Sequence, residues 1–181
     1  MAVVALVPCA AGGLGDITDG LIRPLLDGGH EVTITATPRA HDWLKDSQDD
    51  DKLRALTGLA VRSAPRLPGE KSPLPAPDVL VCAPASANTV AKLALGIADN
   101  QALTLLVENV ATKPLVVFPR INAGHARHPA WDRHLSALRS AGVRLIYGPD
   151  VWPLYEPREA PPDRALPWSE ILAAVDEAIS K

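Results

Sequence analysis

Strand-like apolar runs alternate with helix-like segments along this chain. The strand-like runs, several of them rich in β-branched residues, cover residues 3–9, 31–37, 78–83, 113–119 and 144–149. Strands that are apolar on both faces and separated by helices are typical of a parallel sheet covered on both sides. The pattern predicts an α/β fold with a single doubly wound (Rossmann-like, flavodoxin-like) parallel sheet and helices on both faces.

The segments between these runs have helical periodicity. We expect helices over residues 14–29, 38–46, 49–58, 89–96, 100–110, 128–142 and 167–180, and a further short strand over 59–64. Residues 65–77 contain five prolines, which predicts an irregular connection, and a second proline-rich stretch covers 149–167. We therefore expect a domain formed by residues 1–149 and a C-terminal extension, residues 150–181, that ends in a helix.

Composition excludes several classes of function. A net charge of −3 and the lack of Lys/Arg runs argue against a nucleic-acid partner. No apolar run approaches the roughly 20 residues that span a bilayer, so we expect no membrane segment. Cys9 and Cys82 are too few for a disulfide scaffold and predict two buried thiols in a reducing, cytoplasmic compartment. We expect no metal site.

Doubly wound sheets bind ligands beyond the carboxyl ends of their strands. The loops that follow these ends are loop one, residues 9–15; loop two, 35–41; loop three, 83–89; and loop four, 119–128. We expect the functional residues to lie in these four loops.

Loops one and two each allow two interpretations. Gly12 and Gly13 in loop one permit either a tight strand-to-helix turn or a close approach to a cofactor, since no complete dinucleotide-binding glycine pattern is present. In loop two, Thr35, Thr37 and the charge of Arg39 would suit a phosphate, but Thr37 before a proline is also an ordinary helix cap.

Loop three contains a string of very small residues. Pro84 ends the donation of strand hydrogen bonds, and Ala85, Ser86 and Ala87 keep the surface flat. Asn88 and Thr89 then offer polar groups at a helix start. A plain capped helix would account for Ser86 or Asn88 but not for the whole string, which favours a planar ring with carbonyl groups as the ligand.

Residues 84–89 read PASANT, and this motif resembles the signature of the homo-oligomeric flavin-containing cysteine decarboxylases, which include lantibiotic peptidyl-cysteine decarboxylases and phosphopantothenoylcysteine decarboxylases. GIADN, residues 96–100, resembles the segment that follows in that family. The family's substrate-side motif, P-x-M-N-x-x-M-W, aligns with PRINAGHA, residues 119–126, of which Pro119 and Asn122 match. The resemblance covers most of the chain, up to about residue 149.

The resemblance implies FMN as cofactor and a homo-oligomer, either a trimer or a multiple of three. It implies that the isoalloxazine ring contacts residues 84–89, that the phosphate reaches loops one and two, and that the substrate is a small thiol or a peptide ending in cysteine. In that family's reaction the flavin oxidises the thiol to a thioaldehyde, and loss of CO₂ leaves an enethiol.

The chain departs from the family pattern at one catalytic position. Relatives carry an essential histidine shortly before the PASANT strand, and the corresponding residues 68–78 contain none. His125 and His128 flank loop four and could serve as base, although exposed loop histidines are usually only solvated. Asn122 could hold the substrate carboxylate. Arg120 is either a surface residue or a carboxylate contact.

Two functions therefore remain open. The first is an FMN-dependent oxidative decarboxylase of a cysteine-containing thiol. The alternative is an FMN-binding redox or accessory protein that has lost decarboxylase activity. The extension, with Trp152, Tyr155 and Trp168, either covers a neighbouring subunit or wraps its own domain.

Overall fold

Five strands form one sheet in which every neighbouring pair is parallel. The computed structural model describes residues 1–67, 69–159 and 165–180. The strands are β1 (Val3–Leu6), β2 (Glu31–Ile34), β3 (Val79–Ala85), β4 (Leu115–Pro119) and β5 (Arg144–Leu145). Their order, β2-β1-β3-β4-β5, reverses direction between β1 and β3, so the switch point of the sheet lies there. This arrangement confirms the predicted doubly wound fold.

Helices cover both faces of the sheet. They are α1 (Arg23–Asp27), α2 (Pro38–Asp46), α3 (Asp49–Thr57), α4 (Ala87–Ala94), α5 (Gln101–Asn109), α6 (Ala123–Ala126), α7 (Trp131–Ser140) and α8 (Trp168–Ile179). Val4 and Leu6 of β1 pack into one apolar cluster with α1, α2, α3 and α8, while Ala5 packs with α4, α5 and α7 on the other face. The central strands β1, β3 and β4 are therefore buried on both sides, as their apolar runs predict, whereas the edge strand β5 has an exposed Arg144 and a half-buried Leu145.

The predicted helix over residues 14–29 is divided into three short pieces. A 3₁₀ turn, Leu14–Asp16, is followed by a π-helical turn, Thr18–Ile22, and then by α1. Pro24 has no N–H to donate, and the Arg23 N–H instead reaches the Thr18 carbonyl, five residues back. The expectation of one continuous helix was wrong because Pro24 interrupts its hydrogen-bond ladder.

Two other expected elements differ in extent, and one short helix was not expected. The strand expected over residues 59–64 is reduced to a single bridge between Thr35 and Arg62. The last strand, expected over 144–149, ends at Leu145, because Gly148 adopts a φ of 152° and the chain turns away from the sheet. Helix α6 in loop four has only four residues, too few to show a helical period in the sequence.

The C-terminal extension packs against its own domain. Trp152 is 4% exposed and makes an edge contact with Phe118 of β4, with ring centroids 6.3 Å apart. Trp168, at the start of α8, makes a similar contact with Phe118 at 6.4 Å. Of the two arrangements left open by the sequence, these residues adopt the second and wrap their own chain.

Across the part of the chain that the structure describes, no helix combines the length and the apolar character needed to cross a bilayer.

Candidate functional site

A buried hydrogen-bond network joins the end of β1 to the start of α4. The Ser86 hydroxyl caps α4 by accepting from the Thr89 N–H at 3.2 Å. The Thr89 hydroxyl oxygen in turn accepts from the Ser86 hydroxyl at 3.1 Å and from the Cys9 thiol at 3.2 Å. Thr89 is only 2% exposed, so its hydroxyl serves the interior of the protein.

Cys9 and Cys82 are free and buried, as the sequence predicts. Hydrogen bonding from the Cys82 thiol, and then from Thr89 and Ser86, lowers the pKa of Cys9, while burial opposes that shift. The neighbouring Cys9 thiol and burial together raise the pKa of Cys82. Because both thiols are shielded from solvent, they contribute to packing of the core rather than to a reactive surface.

Loop three exposes half of its PASANT residues and buries the other half. Pro84 and Ala85 lie inside the end of β3. Ser86 and Ala87 are half-buried, and Asn88 is exposed. The surface available to a ligand is therefore small, flat and polar at one end. The predicted contacts of these residues with a cofactor stay predictions.

Loop one makes a close approach to other parts of the chain. Gly12 is exposed, and a Cβ added there would lie 3.4 Å from Nε and Nη2 of Arg120. Gly13 has a φ of 93°, in the left-handed region, and an added Cβ would lie 2.2 Å from a methyl carbon of Leu166. Gly13 is therefore required by its backbone conformation and by its packing, whereas a Cβ at position 12 would make only ordinary contacts with Arg120.

Loop two is held against the end of β1. The Thr35 N–H donates to the Leu6 carbonyl at 2.9 Å, and the Thr37 N–H donates to the Pro8 carbonyl at 3.1 Å. Thr37 occupies the N-cap position of α2, but its hydroxyl makes no capping hydrogen bond. The structure thus keeps Thr35 and Thr37 beside loop one, where the sequence predicts a phosphate.

In loop four, Asn122 is the N-cap of α6. Its Oδ1 accepts from the His125 N–H at 3.0 Å, which leaves the side-chain NH₂ group as a donor. The ring of exposed His128 accepts through Nδ1 from the Ala130 N–H at 3.1 Å. His128 therefore has its basic nitrogen already occupied. Within the described residues, the exposed His125 ring makes no hydrogen bond, so it is the better placed of the two for taking up a proton.

One cavity joins loops three and four. Its volume is about 300 Å³, and its surface is mostly apolar. It is lined by Ala87, Asn88, Ala91, Gly124, His125, His128, Trp131 and His134. The structure thus brings the PASANT residues Ala87 and Asn88 together with the predicted catalytic residues His125 and His128, although 37 positions separate Asn88 from His125 along the chain.

Sequence reasoning missed four residues of this cavity, namely Ala91, Gly124, Trp131 and His134. Trp131 is 3% exposed and donates from its indole N–H to the Tyr147 hydroxyl at 3.1 Å, and His134 is half-buried one turn further along α7. Trp131 and His134 lie three residues apart on α7, so they share one face of that helix. That spacing is the signal that could have identified these two.

The segment that carries the family histidine has no helix in this chain. Residues 69–78 form turns and extended backbone, and within the described residues the Ser72 hydroxyl donates to the Leu74 carbonyl at 3.0 Å. Five prolines over residues 65–77 account for this conformation. That the general base of relatives is lost here stays a prediction.

Curated proteins are similar to part of this chain. Phosphopantothenoylcysteine decarboxylase from Arabidopsis thaliana is 44% identical over 69 residues, which are 38% of this chain and 33% of that protein. The coenzyme A biosynthesis bifunctional protein CoaBC from Escherichia coli K12 is 29% identical over 139 residues, 74% of this chain and 32% of that protein. The chain thus spans about a third of the length of these relatives.

A solved structure covers nearly all of both chains. The FMN-dependent cysteine decarboxylase SpaF is 26% identical, with a TM-score of 0.69, and the match covers 99% of this chain and 98% of that one. The sequence model of the family described as Flavoprotein matches residues 17–180. Because this match extends over almost the whole chain and agrees with the resemblance carried by residues 84–89, the protein belongs to the Flavoprotein family.

Proposed function

We propose that this flavoprotein binds FMN and catalyses the oxidative decarboxylation of a cysteine-containing thiol, such as the C-terminal cysteine of a peptide. The observation that carries the proposal is the cavity that brings Ala87 and Asn88 of the PASANT motif against His125 and His128 of loop four. PASANT residues and histidines suited to acid–base work thus line one space, and Asn122 caps the short helix that carries His125.

The residues present fit a flavin. The half-buried Ala87 offers a flat methyl surface, and the amide of the exposed Asn88 can both donate to ring carbonyls and accept from a ring N–H. Loops one and two would hold the ribityl phosphate through Gly12, Gly13, Thr35 and Thr37. When bound, FMN supplies the capacity to accept two electrons from the substrate.

The chain's own residues would orient the substrate and move its proton. The NH₂ group of Asn122, left free by the capping role of Oδ1, would donate to the substrate carboxylate. His125 would accept the thiol proton as a C–H bond of the adjacent carbon is oxidised, giving a thioaldehyde. The C–C bond to the carboxylate then breaks, its electron pair passes towards the sulfur, and CO₂ leaves to give an enethiolate. The products are therefore the enethiol and CO₂, with the two electrons retained on the reduced cofactor.

The test begins with the visible absorption of the purified protein, followed by anaerobic addition of a short peptide that ends in cysteine. The proposal predicts a yellow protein whose absorption bleaches and a product lighter than the peptide by CO₂ and two hydrogens. The matched controls are the same peptide ending in serine and the same peptide with an amidated C-terminus, neither of which should react. A colourless protein that takes up no added FMN would refute both parts of the proposal.

A second function is favoured by one observation. Residues 69–78 present neither a histidine nor a helix, although this is the segment from which relatives present their base. An FMN-binding redox or accessory protein without decarboxylase activity would need no such base. A yellow protein that converts none of the cysteine peptides would support this second function over the first.

A homo-oligomer, a trimer or a multiple of three, is part of the same proposal. Leu95 and Ile97, between α4 and α5, are 62% and 42% exposed, and apolar side chains of this size favour a contact between copies. Light scattering coupled to size exclusion measures the mass of the assembly: three times 19.2 kDa, or a multiple of that mass, supports the proposal, and a monomer, dimer or tetramer refutes it.

A further inference from the structure

Arg120 reaches across the switch point of the sheet. It follows β4, and its N–H donates to the Ala85 carbonyl at the end of β3 at 2.8 Å. Its guanidinium nevertheless lies against loop one, since Nε and Nη2 are both 3.4 Å from the position a Cβ would take on Gly12. The side chain therefore passes over the end of β3 to reach the loop that follows β1, where a doubly wound sheet binds its ligand.

The C-terminal extension holds this side chain in place. The guanidinium carbon of Arg120 lies 4.7 Å from the ring centroid of Trp152, a distance at which a cation is attracted to an aromatic face. Trp152 is itself held by edge contacts with Phe118 and Tyr155, at 6.3 and 6.1 Å. The half-buried Arg120 therefore has a defined position, unlike the surface arginine that its place in the sequence also allowed.

Loop one offers further donors beside this charge. Within the described residues, the N–H groups of Gly12 and Gly13 make no hydrogen bond to the protein. The alternative cation, Arg39 of loop two, is 74% exposed and lies 3.8 Å from the Asp42 carboxylate on the outer side of α2. Arg120 is therefore the better placed of these two cations for an anion at loop one.

We propose that Arg120, positioned by Trp152, binds the phosphate of FMN and so makes this protein select the phosphorylated flavin over riboflavin. This inference rests on the proposed function, because it requires that the protein bind a flavin. The isoalloxazine ring and the ribityl chain of FMN carry no charge, so its phosphate is the group that a planar guanidinium recognises with two parallel hydrogen bonds. A substrate carboxylate has the same chemistry, and the experiment separates the two anions.

The experiment measures the Kd of FMN and of riboflavin by quenching of flavin fluorescence. These ligands differ only in the phosphate. The variants are Arg120→Met, which removes the charge and keeps the length of the side chain, and Arg120→Lys, which keeps the charge but loses the paired hydrogen bonds. Arg54→Met, at an exposed position on α3, is the matched control. Circular dichroism and a thermal melt of each variant report whether it is folded.

We expect Arg120→Met to weaken FMN binding on the order of 10- to 100-fold and to leave riboflavin binding unchanged. Arg120→Lys should fall between it and the wild type, as should Trp152→Phe, which keeps a smaller aromatic face. If Arg120→Met weakens the binding of FMN and of riboflavin equally, or weakens neither, the inference is overturned, although FMN binding by the wild type still stands. If an Arg120 variant keeps the wild-type ratio of the Kd of FMN to the Kd of riboflavin but needs more cysteine peptide for half-maximal rate, Arg120 contacts the substrate carboxylate. That result would also overturn the inference. Failure of the wild type to bind FMN would refute the proposed function as well.

Discussion

A substitution at Thr89 tests whether the hydroxyl of this PASANT residue stabilises the fold or contacts a ligand. The sequence suggests that this hydroxyl faces a ligand, whereas in the structure it is buried and accepts from Ser86 and Cys9. Thr89→Val has nearly the same shape but no acceptor, so it leaves these two donors without their partner. The loss of hydrogen bonds at a buried site predicts a decrease in the free energy of unfolding of about 1.5 kcal/mol.

For a chain of this length, that loss corresponds to a decrease in Tm of about 3–6 °C, and urea unfolding of the flavin-free protein measures the same free energy. Thr89→Ser is the matched control, because it keeps the hydroxyl and loses only a methyl group. We expect Thr89→Val to be less stable than Thr89→Ser and to bind FMN with wild-type affinity once folded. An unchanged Tm together with weakened FMN binding would refute the structural role and assign the hydroxyl to the ligand.

Three further predictions concern loop four. Asn122→Asp keeps the capping oxygen but replaces the NH₂ donor with a negative charge. Steady-state turnover of a cysteine peptide should therefore fall at least about tenfold, while FMN binding is unchanged. Turnover equal to that of the wild type would exclude contact between Asn122 and the substrate carboxylate. His125→Gln should lower turnover by about 100-fold and remove a pH dependence of the rate, whereas His128→Gln should change little; the reverse order would exchange their roles. Arg127 lowers the pKa of Glu156 through a hydrogen bond and by its charge, so the ion pair between them is kept at neutral pH and is lost only as pH falls below the usual carboxylate range. Glu156→Gln removes this ion pair and should therefore speed hydrogen exchange of the backbone amides in residues 122–127 at pH 7. An unchanged exchange rate would refute this.

The parallel α/β sheet and its cover on both faces follow from patterns that local sequence carries. Residues 79–83 are apolar at every position, which is typical of a strand buried on both faces. The PASANT residues, a string of small residues after a buried strand, also predicted a ligand at this edge of the sheet, and that stays a prediction. These features depend on neighbouring residues, so they can be seen in the sequence.

The features that sequence reasoning missed depend on contacts between distant residues. Sequence reasoning did not find that Gly20, within the segment predicted as a helix, accommodates Trp168: a Cβ on Gly20 would lie 2.5 Å from the indole. His134 reads as an ordinary helix residue until α7 packs beside α4 and closes the cavity. Arg120 reads as a surface residue until Trp152 folds back onto it. No local pattern specifies such pairs.

The packing of Leu166 on Gly13 and of Trp168 on Gly20 has a consequence for biosynthesis. The loop after the first strand is completed by residues close to the last helix of the chain, about 150 positions away in the sequence. On the ribosome, the N-terminal strand and loop emerge first but cannot reach their final packing until α8 has been released. If this loop holds the cofactor as proposed, uptake follows synthesis of the chain, because a nascent chain stalled before Leu166 lacks the packing that completes the loop.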